Sequence, residues 1–411
     1  MKIVHLSLED SFGAGRAAIR INQSICKNGG DSSVYVLNKN EMADSCAIPL
    51  KRSDRLKVLL YDRINHMLLK KYGDHGYFHV DRFGINLMKY PEIAEADLLH
   101  FHWVNEGIWS KDFVRALIET GKPIVWTMHD MWTFTGGCHY DDFCGKYKNQ
   151  CTACKVLGST RKKDDAKKAQ RRKKDVLSKL NIQLVGCSQW ITDQANESMI
   201  GSGLRRKTVC IPNPTNENVF KIYDKELCKN LLEVNPKKEM ILFGAVNAAS
   251  DRRKGAQYLI DALKRLDPKR YVLGVFGSQE VDLGIHNFEI VNFGRISDDF
   301  HLALIYNAAD VFVAPSMQEN LANTVMESLT CGTPVVAFDI GGMPDMILHG
   351  ENGYLAKAFE VSDLEKGIKA AVCIAGKREE IRQSVIDRFS ERKVGIAYLN
   401  LYNEILNKKG I

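Results

Sequence analysis

Short apolar strands alternate with helical patterns along most of the chain, and this alternation restricts the folds that are available to it. In the first half, strands are predicted over residues 2–7, 33–37, 97–102, 122–127, 182–188 and 207–212. Helical periodicity lies between several of them, for example over residues 17–27 and 111–120. Strands that alternate with helices build a parallel sheet covered by helices on both faces. The first half is therefore predicted to be a doubly wound α/β domain.

A second alternating series begins after a break that contains Pro212 and Pro214. Its strands are predicted over residues 239–244, 271–276, 288–293, 311–314 and 333–337. The length of 411 residues also favours two domains, because single cores stop growing at about 250–300 residues. We therefore expect an α/β protein of two Rossmann-like domains, residues 1–211 and 212–386. Ligand loops follow the carboxyl ends of such strands, so the binding site is expected in a cleft across which the two domains face each other.

Several protein classes are disfavoured by the sequence. No run approaches the roughly 18 apolar residues that span a bilayer. The apolar run at the start is too short for a signal peptide and meets Glu9 and Asp10 at once. Eleven cysteines without a secretory signal suit a reducing compartment better than a disulfide framework. The sequence therefore predicts a cytoplasmic protein.

The positive charge of the chain is concentrated in one segment. Residues 155–174 carry ten Lys or Arg against two Asp, which exceeds the formal net charge of +7 for the whole chain. Such a segment is typical of a patch that binds anionic lipid or nucleic acid, and a solvated helix face is the ordinary alternative.

Four of the eleven cysteines fall within seventeen residues, just before this basic segment, and together the two features make an insertion over residues 138–174. The four are Cys138, Cys144, Cys151 and Cys154. Four thiolates that end in a Cys-x-x-Cys pair suit a tetrahedral, structural zinc ion without an open coordination position. His139 could replace one ligand. Disulfides and reduced structural thiols remain alternatives, because the spacing is not that of a standard zinc finger.

Two glutamates eight residues apart, Glu319 and Glu327, follow the strand that ends at residue 314. The first is predicted to lie in a strand-to-helix loop, and the second about two turns into the helix. Backbone N–H groups at the start of such a helix favour a phosphate, while carboxylates accept hydrogen bonds from sugar hydroxyls. A nucleotide sugar supplies both partners, although a glutamate pair alone is more often a pair of solvated helix charges.

Further motifs lie before and after these glutamates in the sequence. They are Gly13-Ala14-Gly15, Trp126 to Trp132, Arg253-Lys254-Gly255, Phe293-Gly294-Arg295-Ile296, Cys331 to Val336, Gly341 to Asp345 and Asn352-Gly353. This set resembles the donor-binding signature of glycosyltransferase family 4, the retaining enzymes of the GT-B fold. The His102-Trp103 pair and residues 126–132 are similar to a bacterial branch that builds surface polysaccharides of the colanic acid type.

The resemblance implies a role for each matching residue. Lys254 and Arg253 would neutralise the diphosphate of the leaving nucleotide, and His129 and Glu319 would lie beside the donor sugar. The other donor contacts it implies are Gly13, Gly15, Arg295, Ile296, Asn320, Leu321, Ala322, Asn323 and Glu327. Family members usually carry an Arg where this chain has Ala245, and Arg252 or Arg253 is expected to take its place.

The implied reaction moves a hexose-type sugar from a nucleotide-diphosphate sugar to a saccharide or lipid-linked saccharide, with retention at the anomeric carbon. No catalytic metal or cofactor is implied, because lysine, arginine and helix amides take its place. A nucleotide-sugar epimerase of the same fold is the nearer alternative, and a zinc-containing nucleic-acid-binding protein is the remoter one, since nucleic acid would leave the motifs after residue 319 without a role.

The acceptor would contact the first domain, where residues 155–174 would hold the enzyme to the anionic inner face of the cytoplasmic membrane. An amphipathic pattern over residues 387–406 predicts a helix. In the GT-B fold, such a carboxyl-terminal segment, here residues 387–411, crosses back onto the first domain.

Overall fold

The computed structural model of the protein describes residues 1–40, 46–73, 77–80, 82–244, 251–277 and 283–407. Within them the chain divides into two compact units. The first unit contains residues 1–213 together with 392–411, and the second contains residues 214–391. The division falls two residues after the boundary expected from the prolines.

The first unit is a Rossmann-like domain in which strands and helices alternate. Its elements are β1 (Lys2–Glu9), α1 (Phe12–Lys27), β2 (Asp31–Asn38), β3 (Ile48–Pro49), α2 (Arg52–Leu69), α3 (Pro91–Ala94), β4 (Leu98–Phe101), α4 (Lys111–Thr120), β5 (Ile124–Met128), α5 (Asp165–Leu177), β6 (Ile182–Gly186), α6 (Gln189–Glu197) and β7 (Val209–Cys210). The seven strands form a parallel sheet in the order β3-β2-β1-β4-β5-β6-β7. Strands β4, β5 and β6 are buried along their whole length, as expected when helices cover both faces of a parallel sheet.

The second unit repeats this plan. Its elements are α7 (Lys225–Leu231), β8 (Glu239–Gly244), α8 (Ala256–Leu263), β9 (Tyr271–Phe276), β10 (Ile290–Asn292), α9 (Asp299–Ala308), β11 (Val311–Ala314), α10 (Asn323–Thr330), β12 (Val335–Phe338), α11 (Met343–Met346), β13 (Gly353–Ala356), α12 (Val361–Ile374) and α13 (Arg378–Phe389). Its six strands are parallel and lie in the order β10-β9-β8-β11-β12-β13. The predicted fold class, two Rossmann-like α/β domains, is confirmed.

Two predicted helix boundaries are wrong. Helix α1 begins at Phe12, not at Ala17, so Gly13 and Gly15 lie in its first turn and not in a preceding loop. The single helix predicted over residues 387–406 is interrupted at Ser390, whose backbone is extended, with φ −61° and ψ 148°. Ser390 forms an isolated parallel bridge with Thr215, and this pairing accounts for the break between α13 and the last helix, α14 (Glu391–Asn407).

Helix α14 packs into the first unit, although it follows the second unit in the sequence. The Tyr402 hydroxyl lies 2.6 Å from His100 Nδ1, and the Tyr398 hydroxyl lies 2.8 Å from Thr127 Oγ1. All four side chains are buried. Among the described residues, no helix combines the length and apolarity that crossing a bilayer requires.

Candidate active site

The centre of the candidate site in the second unit is an ion pair between Lys254 and Glu319. Lys254 Nζ lies 2.6 Å from Glu319 Oε2. Only 11% of the Glu319 side chain and 29% of the Lys254 side chain are exposed. The second carboxylate oxygen of Glu319 accepts a 3.2 Å hydrogen bond from the backbone N–H of Asn320. A protected carboxylate and a half-buried cation are thus held side by side.

Backbone contacts bring this pair together across 65 residues of sequence. The N–H of Met317 donates to the carbonyl oxygen of Arg253 at 2.6 Å. Gly255 has φ +69°, and a Cβ atom there would lie 1.8 Å from the carbonyl oxygen of Pro315. Only glycine permits this approach. The Arg-Lys-Gly motif therefore positions Lys254 against the loop that carries Glu319.

Two opposing effects act on the Glu319 carboxyl. Burial alone would raise its pKa, because a charged carboxylate loses hydration. Lys254, Arg253 and the N–H of Asn320 outweigh burial and hold the pKa of Glu319 below its ordinary value. Glu319 is consequently a carboxylate that accepts hydrogen bonds at neutral pH.

The start of helix α10 lies directly after this carboxylate. Asn320 and Leu321 are buried, whereas Ala322 and Asn323 are half-buried. Ala322 occupies the N-cap position and has no side-chain acceptor for the first N–H groups of the helix. These groups and the helix dipole favour an anion or a hydroxyl at this point.

Glu327 lies deeper, in the interior of α10, and is 2% exposed. Its Oε2 accepts a hydrogen bond of 3.2 Å from the hydroxyl of Tyr306. The loop of Gly341 and Gly342 closes over the backbone of Glu319, since Gly342 N–H donates to Glu319 O at 3.2 Å. A Cβ on Gly341 would lie 1.9 Å from that same oxygen, which explains the glycine pair in the motif.

Three predicted site residues, Arg253, Arg295 and Ile296, are not members of the ion pair. Arg253 has its guanidinium 2.7 Å from Asp251, which fixes the side chain at the start of the motif. Arg295, exposed, and Ile296, half-buried, lie in the loop after β10. Ala245, where the family usually has an arginine, lies outside the described residues.

The predicted site residues of the first unit lie at the carboxyl ends of its strands. A Cβ on Gly15 would lie 2.6 Å from the carbonyl oxygen of Glu9, so α1 can start this close to β1 only with glycine there. Gly13 is exposed, with open space around it. His129, directly after β5, is half-buried and lines a small cavity with His102, Trp103 and other residues.

His129 is joined to a row of buried imidazoles that the sequence did not predict. His129 Nε2 lies 3.1 Å from His102 Nδ1, and His102 Nε2 lies 2.9 Å from His5 Nδ1. The His100 ring packs against those of His5 and His102 in a tilted arrangement, with centroid separations of 4.5 and 4.2 Å. Its two nitrogens bond Thr127 Oγ1 at 2.7 Å and the Tyr402 hydroxyl. Burial lowers the pKa of His5 to about 3 and that of His129 to about 4, so these rings are neutral.

Three of these histidines, His5, His100 and His102, also have ring nitrogens within 4.8 Å of one another, a spacing that a metal ion could bridge. Most of these nitrogens already hydrogen-bond another side chain: His102 bonds His5 and His129, and His100 bonds Tyr402 and Thr127. The row is therefore a hydrogen-bond network that fixes the orientation of the His129 ring.

A second polar network was also missed, because its members are far apart in sequence. The carboxylate of Asp130 accepts from His139 Nδ1 at 2.7 Å, and His139 Nε2 lies 2.7 Å from His79 Nδ1. The His139 ring stacks on Trp103 with a centroid separation of 4.7 Å.

At the end of β1, burial raises the pKa of Glu9 to about 7, with nearby carboxylates acting in the same direction. Perturbed carboxyls of this kind are typical of functional sites.

Three of the four cysteines of the insertion, Cys138, Cys151 and Cys154, are buried, and Cys144 is half-buried. Burial raises the pKa of all four thiols, because it disfavours the charged thiolate. Nearby donor groups act in the opposite direction, namely the Thr135 hydroxyl and the backbone N–H groups of Gly136, Lys146, Val156 and Leu157. Among the described residues, the four sulfurs are not gathered within 4.8 Å of one another, so zinc binding would draw them together. His139 is already bonded by Asp130 and His79 and is a poor substitute ligand.

The basic segment is only partly an exposed surface. Lys173 is buried and donates a hydrogen bond to the backbone carbonyl oxygen of Trp132. Its Nζ atom lies 3.9 Å from the centroid of the Trp132 ring. The exposed cations of the segment are Lys155, Arg161, Lys162, Lys163, Lys168, Arg171, Arg172 and Lys174. Lys173 is therefore a structural residue of the first unit.

Comparison with known proteins gives this geometry a chemical context. Residues 237–373, which include Lys254, Glu319 and Glu327, match the family described as Glycosyl transferases group 1. The putative colanic acid biosynthesis glycosyl transferase WcaC of Escherichia coli (strain K12) is 28% identical over 261 residues, 60% of this chain. The chain matches 60% of the length of that relative. The resemblance to colanic-acid-type glycosyltransferases is confirmed.

Solved structures agree on the fold. Sucrose-phosphate synthase from Thermosynechococcus elongatus has a TM-score of 0.69 at 15% identity, covering 99% of this chain and 100% of the other. The Anabaena protein HepE, solved in complex with UDP-glucose, has a TM-score of 0.63 at 16% identity, covering 98% and 100%. Residues 237–373 therefore match the glycosyl transferases group 1 family, within a chain that has the GT-B fold.

Proposed function

We propose that the protein is a retaining glycosyltransferase of family 4 that moves a hexose-type sugar from a nucleotide-diphosphate sugar to a saccharide or lipid-linked saccharide. The product would be a cell-surface polysaccharide, made at the cytoplasmic side of the membrane. The observation that supports this most is the Lys254–Glu319 ion pair, which lies beside the start of α10 in a glycosyl transferases group 1 segment. UDP-glucose bound to HepE, a protein of the same fold, is consistent with such a donor.

The chemistry of the second unit fits the leaving group. As the bond between the anomeric carbon and the diphosphate oxygen breaks, negative charge grows on the diphosphate. Lys254, Arg253 and the first N–H groups of α10 would stabilise that charge, the role that preorganised donors play in other transferases. Glu319 would accept hydrogen bonds from sugar hydroxyls, and Glu327 from the ribose.

The acceptor hydroxyl would form the new carbon–oxygen bond on the face from which the diphosphate departs. Its proton would pass to the departing diphosphate oxygen, so that atoms and charges balance without a protein nucleophile. His129, kept neutral by its environment, would bind a hydroxyl of the donor sugar. No catalytic metal is part of this proposal, because cationic side chains and helix amides supply the positive charge.

A nucleotide-sugar epimerase is the second candidate for the same fold, since a fold alone does not determine function. The two activities differ in what they need: an epimerase converts a nucleotide sugar in the absence of an acceptor. Product analysis of donor incubated with the protein alone therefore separates them. A new nucleotide sugar formed without acceptor would contradict the transferase.

Nucleotide binding is the first test. We expect one of the diphosphates of uridine, guanosine, adenosine or thymidine, or its sugar, to raise the melting temperature. At 100 times the dissociation constant the rise should be about 5–10 °C, because a ligand that binds only the folded state stabilises it. In Glu327→Gln the rise should shrink, since an amide oxygen accepts hydrogen bonds from the ribose more weakly than a carboxylate does, while Glu365→Gln serves as the matched control. No rise with any of the eight compounds would contradict the proposal.

The proposal includes a peripheral contact between residues 155–174 and anionic lipid. The eight exposed cations of this segment support it, since each charge near a membrane surface contributes about 1 kcal/mol. Because Lys173 is buried, the contact would use the remaining cations.

The proposal also includes a structural zinc ion bound by Cys138, Cys144, Cys151 and Cys154. Burial raises the pKa of the four thiols, while the N–H and O–H groups near the sulfurs act in the opposite direction and favour the thiolates that bind zinc. The loop takes unusual backbone shapes near these residues, with positive φ at Phe143 and Ala153. Zinc would supply cross-links to a segment with little regular structure.

Metal analysis tests the zinc site. We expect about one zinc per chain after dialysis, and a thiolate-to-metal absorption band when cobalt replaces it. Cys151→Ser and Cys154→Ser should lose the metal and melt at a lower temperature, whereas Cys228→Ser, a buried cysteine of the second unit, should keep the metal. Metal-free protein with every thiol titratable would contradict zinc, and fewer titratable thiols would indicate disulfides.

A further inference from the structure

Helix α2 exposes four large apolar side chains to solvent. Leu56 is 64% exposed, Leu59 53%, Leu60 57% and Met67 61%. In a helix, residues separated by three, four, seven or eleven positions lie on one face. These four therefore form one continuous outward face, which we call the α2 apolar face. A soluble surface seldom carries this many exposed large side chains together unless something binds there.

The opposite side of α2 faces the body of the first unit. Asp54, Val58, Asn65 and Leu69 are buried at helical spacing. One side of α2 is thus packed in the unit, and the opposite side is both apolar and exposed.

Cations share the α2 apolar face. Arg52, Arg63 and Lys70 fall on the same side by their spacing from Leu56, and all three are exposed. The two acids of the helix are turned away from it. Asp54 is buried, with Lys89 Nζ at 2.6 Å, and Asp62 is half-buried. The face therefore combines apolar side chains with positive charge and carries no carboxylate of α2.

The end of α2 lies next to the start of the basic helix α5. Lys71 Nζ lies 2.5 Å from Asp165 Oδ2, and the Tyr72 hydroxyl donates to the same carboxylate at 2.9 Å. Arg82 binds its other oxygen at 3.1 Å. These contacts fix the α2 apolar face beside the segment already proposed to contact lipid.

We propose that the α2 apolar face docks on an anionic bilayer, with Leu56, Leu59, Leu60 and Met67 entering the boundary between headgroups and acyl chains. Arg52, Arg63 and Lys70 would reach lipid phosphates while their stems remain among the apolar chains. A second copy of this chain fits the same face poorly, because a two-fold interface would bring these cations against their own copies. The inference extends the proposed membrane contact and identifies the residues that enter the lipid.

Vesicle sedimentation tests the docking without any substrate. Full-length protein is mixed with phosphatidylcholine vesicles that contain phosphatidylglycerol, and with phosphatidylcholine alone. We expect the variant with Leu56, Leu59, Leu60 and Met67 all changed to Gln to bind anionic vesicles at least about 10-fold more weakly than wild type. Changing Arg52, Arg63 and Lys70 to Gln should weaken binding to a similar degree and remove most of its salt dependence.

Matched controls keep the result specific. Leu227→Gln with Leu231→Gln removes two equally exposed leucines from α7, at 57% and 62% exposure, and should leave vesicle binding unchanged. Changing Lys168, Arg171, Arg172 and Lys174 to Gln measures the basic segment separately. The nucleotide-dependent melting shift, measured on each variant, shows that the donor site is intact and separates this inference from the transferase proposal.

Two results would overturn the inference. If the face plays no part in binding, the variant with Leu56, Leu59, Leu60 and Met67 changed to Gln would bind anionic vesicles as tightly as wild type. Alternatively, lipid-free wild type would sediment as a dimer and the same variant as a monomer, in which case the face binds a second copy of the chain.

Discussion

Lys254→Met is expected to lower turnover about 100- to 1000-fold, the loss typical of removing one preorganised donor to a developing negative charge. Methionine keeps most of the stem of the side chain and removes the ammonium group. Glu319 would then be a buried carboxylate without its cation, at a stability cost of about 3 kcal/mol. Steady-state kinetics and thermal unfolding of the same preparation measure the two effects.

A double variant separates catalysis from stability. Lys254→Met combined with Glu319→Gln removes both charges of the pair, so the melting temperature should largely return, while turnover stays low. Lys264→Met is the control, since Lys264 belongs to an exposed pair with Asp261 in the same unit. If turnover of Lys254→Met stayed within a few-fold of wild type, or returned in the double variant, Lys254 would have only a structural role.

Acidification from pH 6.5 to 5.5 is expected to destabilise the first unit by about 3 kcal/mol through His5, His100 and His102, or about 1 kcal/mol for each ring. Burial lowers the pKa of all three in the folded protein, to about 3 for His5. The unfolded chain gains protons below pH 6.5 and the folded chain does not. The contribution of these three neutral rings to the stability of the folded protein is therefore complete above pH 6.5. It is lost as the pH falls toward their pKa values in the folded state.

Protonation of Glu9 stabilises the folded protein on acidification, whereas protonation of the three histidines in the unfolded chain destabilises it. Burial raises its pKa to about 7, so the folded state binds a proton that the unfolded state does not, which offsets about 1 kcal/mol over the same pH range. Glu9→Gln should therefore show a steeper loss of melting temperature on acidification than wild type. Melting curves at constant ionic strength give both slopes. A wild-type melting temperature that is constant between pH 7 and 5.5 would contradict the assignment of neutral buried rings.

Of the thirteen strands in the described residues, the sequence predicted eleven, because their apolar runs are local signals, and it missed β3 and β13. The two boundary errors have non-local causes. Glycine disfavours helix, so the first turn of α1 was predicted as loop, whereas the close approach of Gly15 to β1 requires glycine in that turn. Ser390 carries no local sign of a break, because the break follows from its pairing with Thr215, 175 residues away.

The candidate site was predictable to a different degree in each unit. In the second unit, motif resemblance singled out Lys254 and Glu319, and the structure brings them within 2.6 Å. In the first unit, the resemblance implied site roles for Gly13, Gly15 and His129, but for none of the side chains that hold the His129 ring. The imidazole row depends on the pairing of β1 with β4, which places His5 opposite His100, and no local pattern encodes that pairing. The exposure of the α2 apolar face was likewise invisible to periodicity, which cannot tell the packed side of a helix from its open side.

The contribution of α14 to the first unit has a consequence for the order of folding. Residues 214–391 form a continuous segment, so the ribosome completes them before it reaches Tyr398 and Tyr402. Until then His100 and Thr127 lack the phenol hydroxyls that bond them in the finished fold. Synthesis of the first unit thus starts before that of the second unit but ends after it. While residues 214–391 are being synthesised, the polar cluster around His100 and Thr127 lacks the hydroxyl groups of Tyr398 and Tyr402.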